Sequence, residues 1–193
     1  MTESPTVAAA LAPVDAVIFD LDGVVTDTGE LRAAAWKQLV DDVMNDPRLP
    51  ADTRPGPLTD EDFARWIEGR TWEDGVDGFL ASRGVAIPRG SPSDGPAEWT
   101  AFGLAQRQNG IFETLLAGRP VPVLPGTVAL LERLRAGRIP VVLATSCRNA
   151  AAVVAAAGLG DVFDHVVDGQ TALDHDVAGM PAPALALEAV RRL

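Results

Sequence analysis

The chain has 193 residues, 47% of them hydrophobic and 22% charged, with a formal net charge of −11. That length holds one domain, or a core with a smaller insertion, and the composition is typical of soluble globular proteins. The acidic balance argues against nucleic acid and membrane surfaces as partners, and an anionic substrate would have to be met by a metal or by arginine.

The basic residues are arginines apart from Lys37, so no other position supplies an amine. A lone cysteine, Cys147, excludes an intramolecular disulfide and fits a reducing compartment. Imidazole comes only from His165 and His175, both read as structural or solvated. Residues 1–13 lack a positively charged start and carry only a short apolar stretch, so they read as a disordered tail and not as a signal peptide. No apolar run approaches the ~18 residues of a membrane span. The expected location is the cytoplasm.

From Val14 onward two kinds of sequence alternate. "AVIF" (16–19) reads as a first strand, ending at Asp20 and Asp22. Residues 28–118 then look helical. "LRAAAWKQLVDDVM" places Leu31, Ala35, Leu39 and Val43 on one face. Thr59 opens "TDEDFARWI" as an N-cap with acids in the first turn. "GVDGFLASRG" is a third helix, weakened by its glycines. A last helix carries Trp99, Phe102, Phe112 and Leu116, and the Pro/Gly-rich stretches 45–58 and 86–96 are loops. The acids at 60–62 and 73–74 read as helix N-terminal charges.

The remainder returns to strand and helix in turn. "GTVALLERLRAG" (126–137) and "RNAAAVVAAAG" (148–158) are helices closed by Gly137 and Gly158. "IPVVLAT" (139–145) and "VFDHVVDG" (162–169) are strands. Their continuous apolarity predicts burial on both faces, as in a parallel sheet, and the alternation predicts a doubly wound α/β layer. The division is a tail (1–13), an α/β core (14–27 and 119–193) and a helical cap (28–118).

In open α/β sheets, ligands bind outside the carboxyl ends of the strands. The first predicted strand delivers Asp20 and Asp22 there, and the second delivers Thr145, followed by Ser146, Arg148 and Asn149. Two like charges that close repel, and Mg2+, which takes hard oxygen ligands, would relieve that repulsion with Asp20 and Asp22 as its ligands. Asp20 is then a nucleophile toward phosphorus, and Asp22 an acid and base on the opposite oxygen. Gly23 lets the backbone turn away. Thr145, Ser146, Arg148 and Asn149 are the phosphate- and substrate-binding group. Arg148 reads equally as the surface start of a helix, and Thr28 as a helix N-cap or, with Asp27, part of a cap hinge.

These residues resemble a known family. "DLDGV" after one strand, "LATSCRN" after a second and "GMPAP" after a third look like the first three motifs of the haloacid dehalogenase (HAD) superfamily. The helical insert looks like its C1 cap. "FDLDGVVTDT", "AAAWK", "RQN" and "LATSCRN" resemble the β-phosphoglucomutase-like branch most. The resemblance implies an HAD-like, Rossmann-like core and an Mg2+-dependent phosphatase or mutase. Its substrate would be a small phosphorylated sugar and its intermediate an aspartyl phosphate.

The departures bear on activity. Where the family's third motif has lysine, this chain has Met180, and Lys37 lies in the cap. Arg32, Trp72 and Gln108 stand where the family has a His, an Arg and a Lys that position or contact the sugar phosphate. Leu193 comes before the expected fourth motif and its strand, so the chain is expected to be truncated, or to cover the open edge of its first strand by self-association. Impaired turnover is therefore expected. The rival reading is a catalytically inactive remnant with a binding or regulatory role. A glycosidase-like acid pair fits poorly, because two acids on one turn do not flank a sugar at the ~5 Å or more required.

Overall fold

The computed structural model describes residues 14–49, 56–180 and 182–193. The expected tail at 1–13 and part of the loop at 45–58 lie outside these residues.

Three short parallel strands organise the fold: β1 (Val17–Phe19), β2 (Val141–Ala144) and β3 (His165–Val167), in the order β1-β2-β3. Phe19 lies opposite Leu143, and Leu143 opposite Val166. β2 is central and every residue in it is buried. Its side chains alternate between two separate cores. Val141 and Leu143 join Phe19 beneath helix α5 (Pro125–Ala136) and helix α6 (Ala150–Ala156). Val142 and Ala144 join Val167 beneath α7 (Gly169–Asp174) and α8 (Ala184–Arg191). Helices thus cover both faces, as the unbroken apolar runs predict. Full burial holds only for β2, because β1 and β3 each have a single neighbour among the described strands.

The helical block has its own core. Helix α1 (Gly29–Met44) packs on α4 (Ala101–Leu116), and α3 (Trp72–Ser82) packs on α4 beside it. Trp36, Leu39, Val43, Ile67, Phe79 and Leu104 fill the space between. Each such side chain contributes ~1.5–3 kcal/mol by leaving water. Of the face predicted for α1, Ala35, Leu39 and Val43 are buried and Leu31 is partly so. Thr59 caps α2 (Asp60–Asp62) in a reciprocal box with Asp62, each bond 3.1 Å, and the chain then widens into a π turn at Phe63–Ile67.

The glycines that weaken the α3 prediction have a packing role. A Cβ at Gly75 would come within 3.1 Å of the Trp36 ring, and one at Gly78 within 3.2 Å of the Trp66 ring. Gly158 takes the left-handed conformation after α6, with φ +71. Gly137 is the C-cap of α5, as expected, with an ordinary φ of −79, and the positive φ of 56 falls on Arg138 behind it. Two strands of chain connect the block to the sheet, side by side. Asp27 N–H donates to Pro122 O at 2.9 Å, and Leu124 N–H to Val25 O at 3.1 Å.

Candidate active site

Leu21 is fully buried and anchors the chain as it leaves β1. Strand alternation then sends Asp20 and Asp22 to the opposite side. Gly23, at φ +76, closes the turn with its N–H on Thr26 O at 2.8 Å. Asp20 Oδ1 accepts the Leu21 N–H at 2.7 Å. Asp22 is held from two sides: Oδ2 accepts Arg32 Nη1 at 3.0 Å, and Oδ1 accepts the Thr28 hydroxyl. Thr28 does occupy the N-cap position of α1, but it makes no side-chain cap bond because its hydroxyl goes to Asp22.

The two carboxyls therefore differ. Loss of surrounding water pushes the Asp20 carboxyl above its ordinary value, and the charge of Asp22 adds to this. The Leu21 N–H, the Thr145 hydroxyl and the Arg32 charge pull the other way without cancelling it. No arginine or lysine hydrogen-bonds Asp20 among the described residues.

The loop after β2 forms the second wall. Thr145 is buried at the strand end, and its hydroxyl accepts the Cys147 N–H at 3.2 Å. Burial pushes the Cys147 thiol up to about 12, so it is an inert core side chain. Arg148 is not on the surface. Its side chain is 7% exposed, its Nη2 donates to Glu73, itself 5% exposed, and its guanidinium lies 5.4 Å from the Trp72 ring centre. Burial lowers its pKa and the carboxylate of Glu73 opposes that shift. Nη1 is buried with no partner among the described residues. Next along, Asn149 Nδ2 donates to Asn109 Oδ1 at 2.7 Å.

Glu73 thus differs from the sequence expectation. It is in the first turn of α3, yet it reaches across to the sheet instead of serving only as a helix-terminal charge. Glu73 and Asn109 are the residues sequence reasoning missed, since their partners lie 75 and 40 positions away. Trp72 is buried in the helical core, with the Arg148 guanidinium over its ring. His165 and His175 are exposed, and Met180 packs against the Val142–Leu185 core.

A cavity of about 400 Å³ lies between block and sheet, with Thr71, Glu73 and Arg89 on one side and Ser146, Arg148 and Gly179 on the other. Close approaches fix its shape: a Cβ at Gly169 would collide with Ser146 O, and one at Gly179 with the Thr71 methyl. Ser146 follows Thr145 directly, so the cavity opens beside the aspartate turn, although Asp20 and Asp22 do not line it.

The chemistry of the turn fits a hard divalent cation. Asp20 is raised partly by the Asp22 charge and has no basic side chain bonded to it, and a cation would remove that repulsion. Among the described residues no cluster of three or more His, Cys, Asp or Glu forms a closed metal site.

Comparison with known proteins agrees with this geometry. A protein named β-phosphoglucomutase in Mycobacterium bovis is 36% identical over 181 residues, covering 93% of this chain and 69% of the relative. One of the same name in Bacillus subtilis is 29% identical over 179 residues, 92% and 69% of the two chains. The crystal structure of β-phosphoglucomutase from Clostridium difficile superposes with a TM-score of 0.66 at 23% identity, covering 92% of this chain and 70% of that one, which shows the shared fold. The profile of the haloacid dehalogenase-like hydrolases matches residues 14–193, and with two carboxylates at the end of β1 and a buried threonine at the end of β2, the chain belongs to that family.

Proposed function

We propose that the chain is a phosphatase or phosphomutase of the β-phosphoglucomutase-like branch, acting on a small sugar phosphate through an aspartyl phosphate on Asp20. The observation that carries this reading is Asp20 itself. One carboxylate oxygen is fixed by the Leu21 N–H, no basic side chain among the described residues hydrogen-bonds it, and the buried Thr145 hydroxyl stands beside it. A nucleophile needs that combination of fixed orientation and unquenched charge.

The roles follow from position. The free oxygen of Asp20 attacks phosphorus as the ester P–O bond breaks. Asp22, held by Thr28 and Arg32, gives a proton to the leaving oxygen and takes one from the incoming water or hydroxyl. Thr145 and Ser146 donate to the phosphoryl oxygens, and Gly23 keeps the backbone clear of them. Arg148 lines the neighbouring cavity and faces the rest of the substrate, with Asn149 next in the chain. Mg2+ would be held by Asp20 and Asp22, and when bound it supplies positive charge for the phosphoryl oxygens.

Turnover is slow in this reading. Met180 supplies no charge where relatives have lysine, and losing one such contact lowers a rate about a hundredfold or more. The test is hydrolysis of a chromogenic phosphate ester with and without Mg2+, beside Asp20→Asn. Slow, Mg2+-dependent release that disappears in the variant is expected; equal rates in the two proteins reject the reading. Equal rates would favour the second reading, a binding protein without catalysis, which the engagement of Arg148 and Asn149 by Glu73 and Asn109 supports. Among the described strands β1 pairs only with β2, which adds an expectation of self-association, and sedimentation as a stable monomer rejects it.

A further inference from the structure

The cavity beside the aspartate turn has basic residues that are already neutralised. Arg148 is ion-paired with Glu73, and both are almost fully buried. Arg89, on the opposite wall, pairs with Asp74 at 2.9 Å. Asp176 also lines the cavity, which leaves three carboxylates facing two guanidiniums. The remaining wall is apolar or hydroxylic, including Phe102, Leu173 and Thr71.

A buried guanidinium that already has a carboxylate partner is a poor receptor for a second anion. A phosphate entering there would have to displace Glu73, leaving that carboxylate buried and unpaired, or share Arg148 with it at close range. A hydroxyl has neither cost: it brings no charge, and Glu73 stays on Arg148 as it enters.

Resting on the proposed function, we infer that Glu73 is a specificity-determining residue. It makes the non-reacting end of the site select an uncharged, hydroxyl-rich group, so the ligand is a sugar monophosphate and sugar bisphosphates are rejected. The reacting phosphate meets the aspartate turn, and the sugar's far hydroxyls meet Arg148. A phosphomutase cycle, which must hold a bisphosphate, is disfavoured by the same pair.

The experiment is calorimetric titration with a hexose 1-phosphate and the matching hexose 1,6-bisphosphate, in Mg2+, on Asp20→Asn protein so that neither ligand turns over. The monophosphate is expected to bind at least tenfold more tightly. Adding Glu73→Gln, which keeps the shape and removes the charge, is expected to shift that ratio at least tenfold toward the bisphosphate. Asp74→Asn, at a half-exposed pair, frees Arg89 and is expected to shift it the same way by a smaller factor. Equal or tighter binding of the bisphosphate by the starting protein overturns the inference, as does a ratio that neither substitution moves. Binding of neither sugar phosphate instead rejects the proposed function, and the inference with it.

Discussion

The two ends of the cleft treat charge in opposite ways. At the end of β1, Asp20 and Asp22 stand close, and Asp20 is raised by lost water and by its neighbour. At the loop after β2, the Arg148 charge is taken further out of water, yet it meets Glu73 across the interface. One end keeps an unsatisfied charge and the other removes one. Unrelieved repulsion is a destabilising feature that persists where it serves chemistry. A neutralised pair is a feature of recognition and closure. In the proposed function the first end reacts and the second selects.

The largest effect is expected from breaking the reactive end. Asp20→Asn should lower phosphate-ester turnover by about 10⁴-fold or more, since it removes the proposed nucleophile. The same substitution should raise stability. An acid whose folded pKa lies above its unfolded value opposes folding once it ionises, and it is neutral in both states at low pH. The gain in the variant is therefore complete above the raised Asp20 value and fades as the pH falls toward the ordinary 3.8. Denaturant melts of both proteins across that range measure it, and a gain independent of pH would show that Asp20 carries no such strain.

Next comes the selective end. Glu73→Ala leaves the Arg148 guanidinium buried and unpaired, at a cost of about 3–5 kcal/mol. For a chain of this length each kcal/mol lowers Tm by about 2–4 °C. Replacing both partners by apolar residues, Glu73→Leu with Arg148→Met, should recover most of that loss, because no charge is then stranded. A single substitution as mild as the double one would mean that the pair is solvated in solution, and the contrast between the two ends would shrink.

The reactive end was legible because its logic is local. Strand alternation alone puts residues 20 and 22 on one side, and the run "VIFDLDG" states the strand, the acids and the turn in order. The two-sided burial of β2 was legible for the same reason. The selective end was not, because it depends on pairs that only folding creates. Nothing near Glu73 distinguishes it from Asp74, its neighbour in the same helical turn, yet one is buried against the sheet and the other half-exposed. Thr28 shows a related limit. Its position is that of a cap, but a stronger acceptor, the Asp22 carboxylate, lies within reach and takes the hydroxyl. The glycines of α3 were read as weakness because the tryptophan rings that need the room lie on other elements.

A smaller substitution sharpens the boundary between the ends. Thr145→Val keeps the shape of the strand end and removes the hydroxyl. The Cys147 N–H then loses its acceptor in a buried loop, a cost of about 1–3 kcal/mol, and Asp20 loses one of the groups that lower its carboxyl. The denaturation midpoint should fall while the Asp20 carboxyl moves further up, and carbon-detected NMR titration of that carboxyl reads the shift directly.

The smallest effect is expected where cap and sheet touch through neutral groups. The Asn149–Asn109 bond is uncharged and partly buried, and a bond of that kind contributes about 1 kcal/mol. Asn149→Ala should therefore lower stability by about that amount, well below the loss in Glu73→Ala. The two sites adjoin, because residues 148 and 149 are consecutive and reach to α3 and α4, which pack together. Their effects should couple: once Glu73 is replaced, the loop is already loosened, and Asn149→Ala should cost less than it does alone. A strictly additive double-mutant cycle would mean that the charged and neutral contacts hold the cap independently, and that the loop after β2 does not act as one latch.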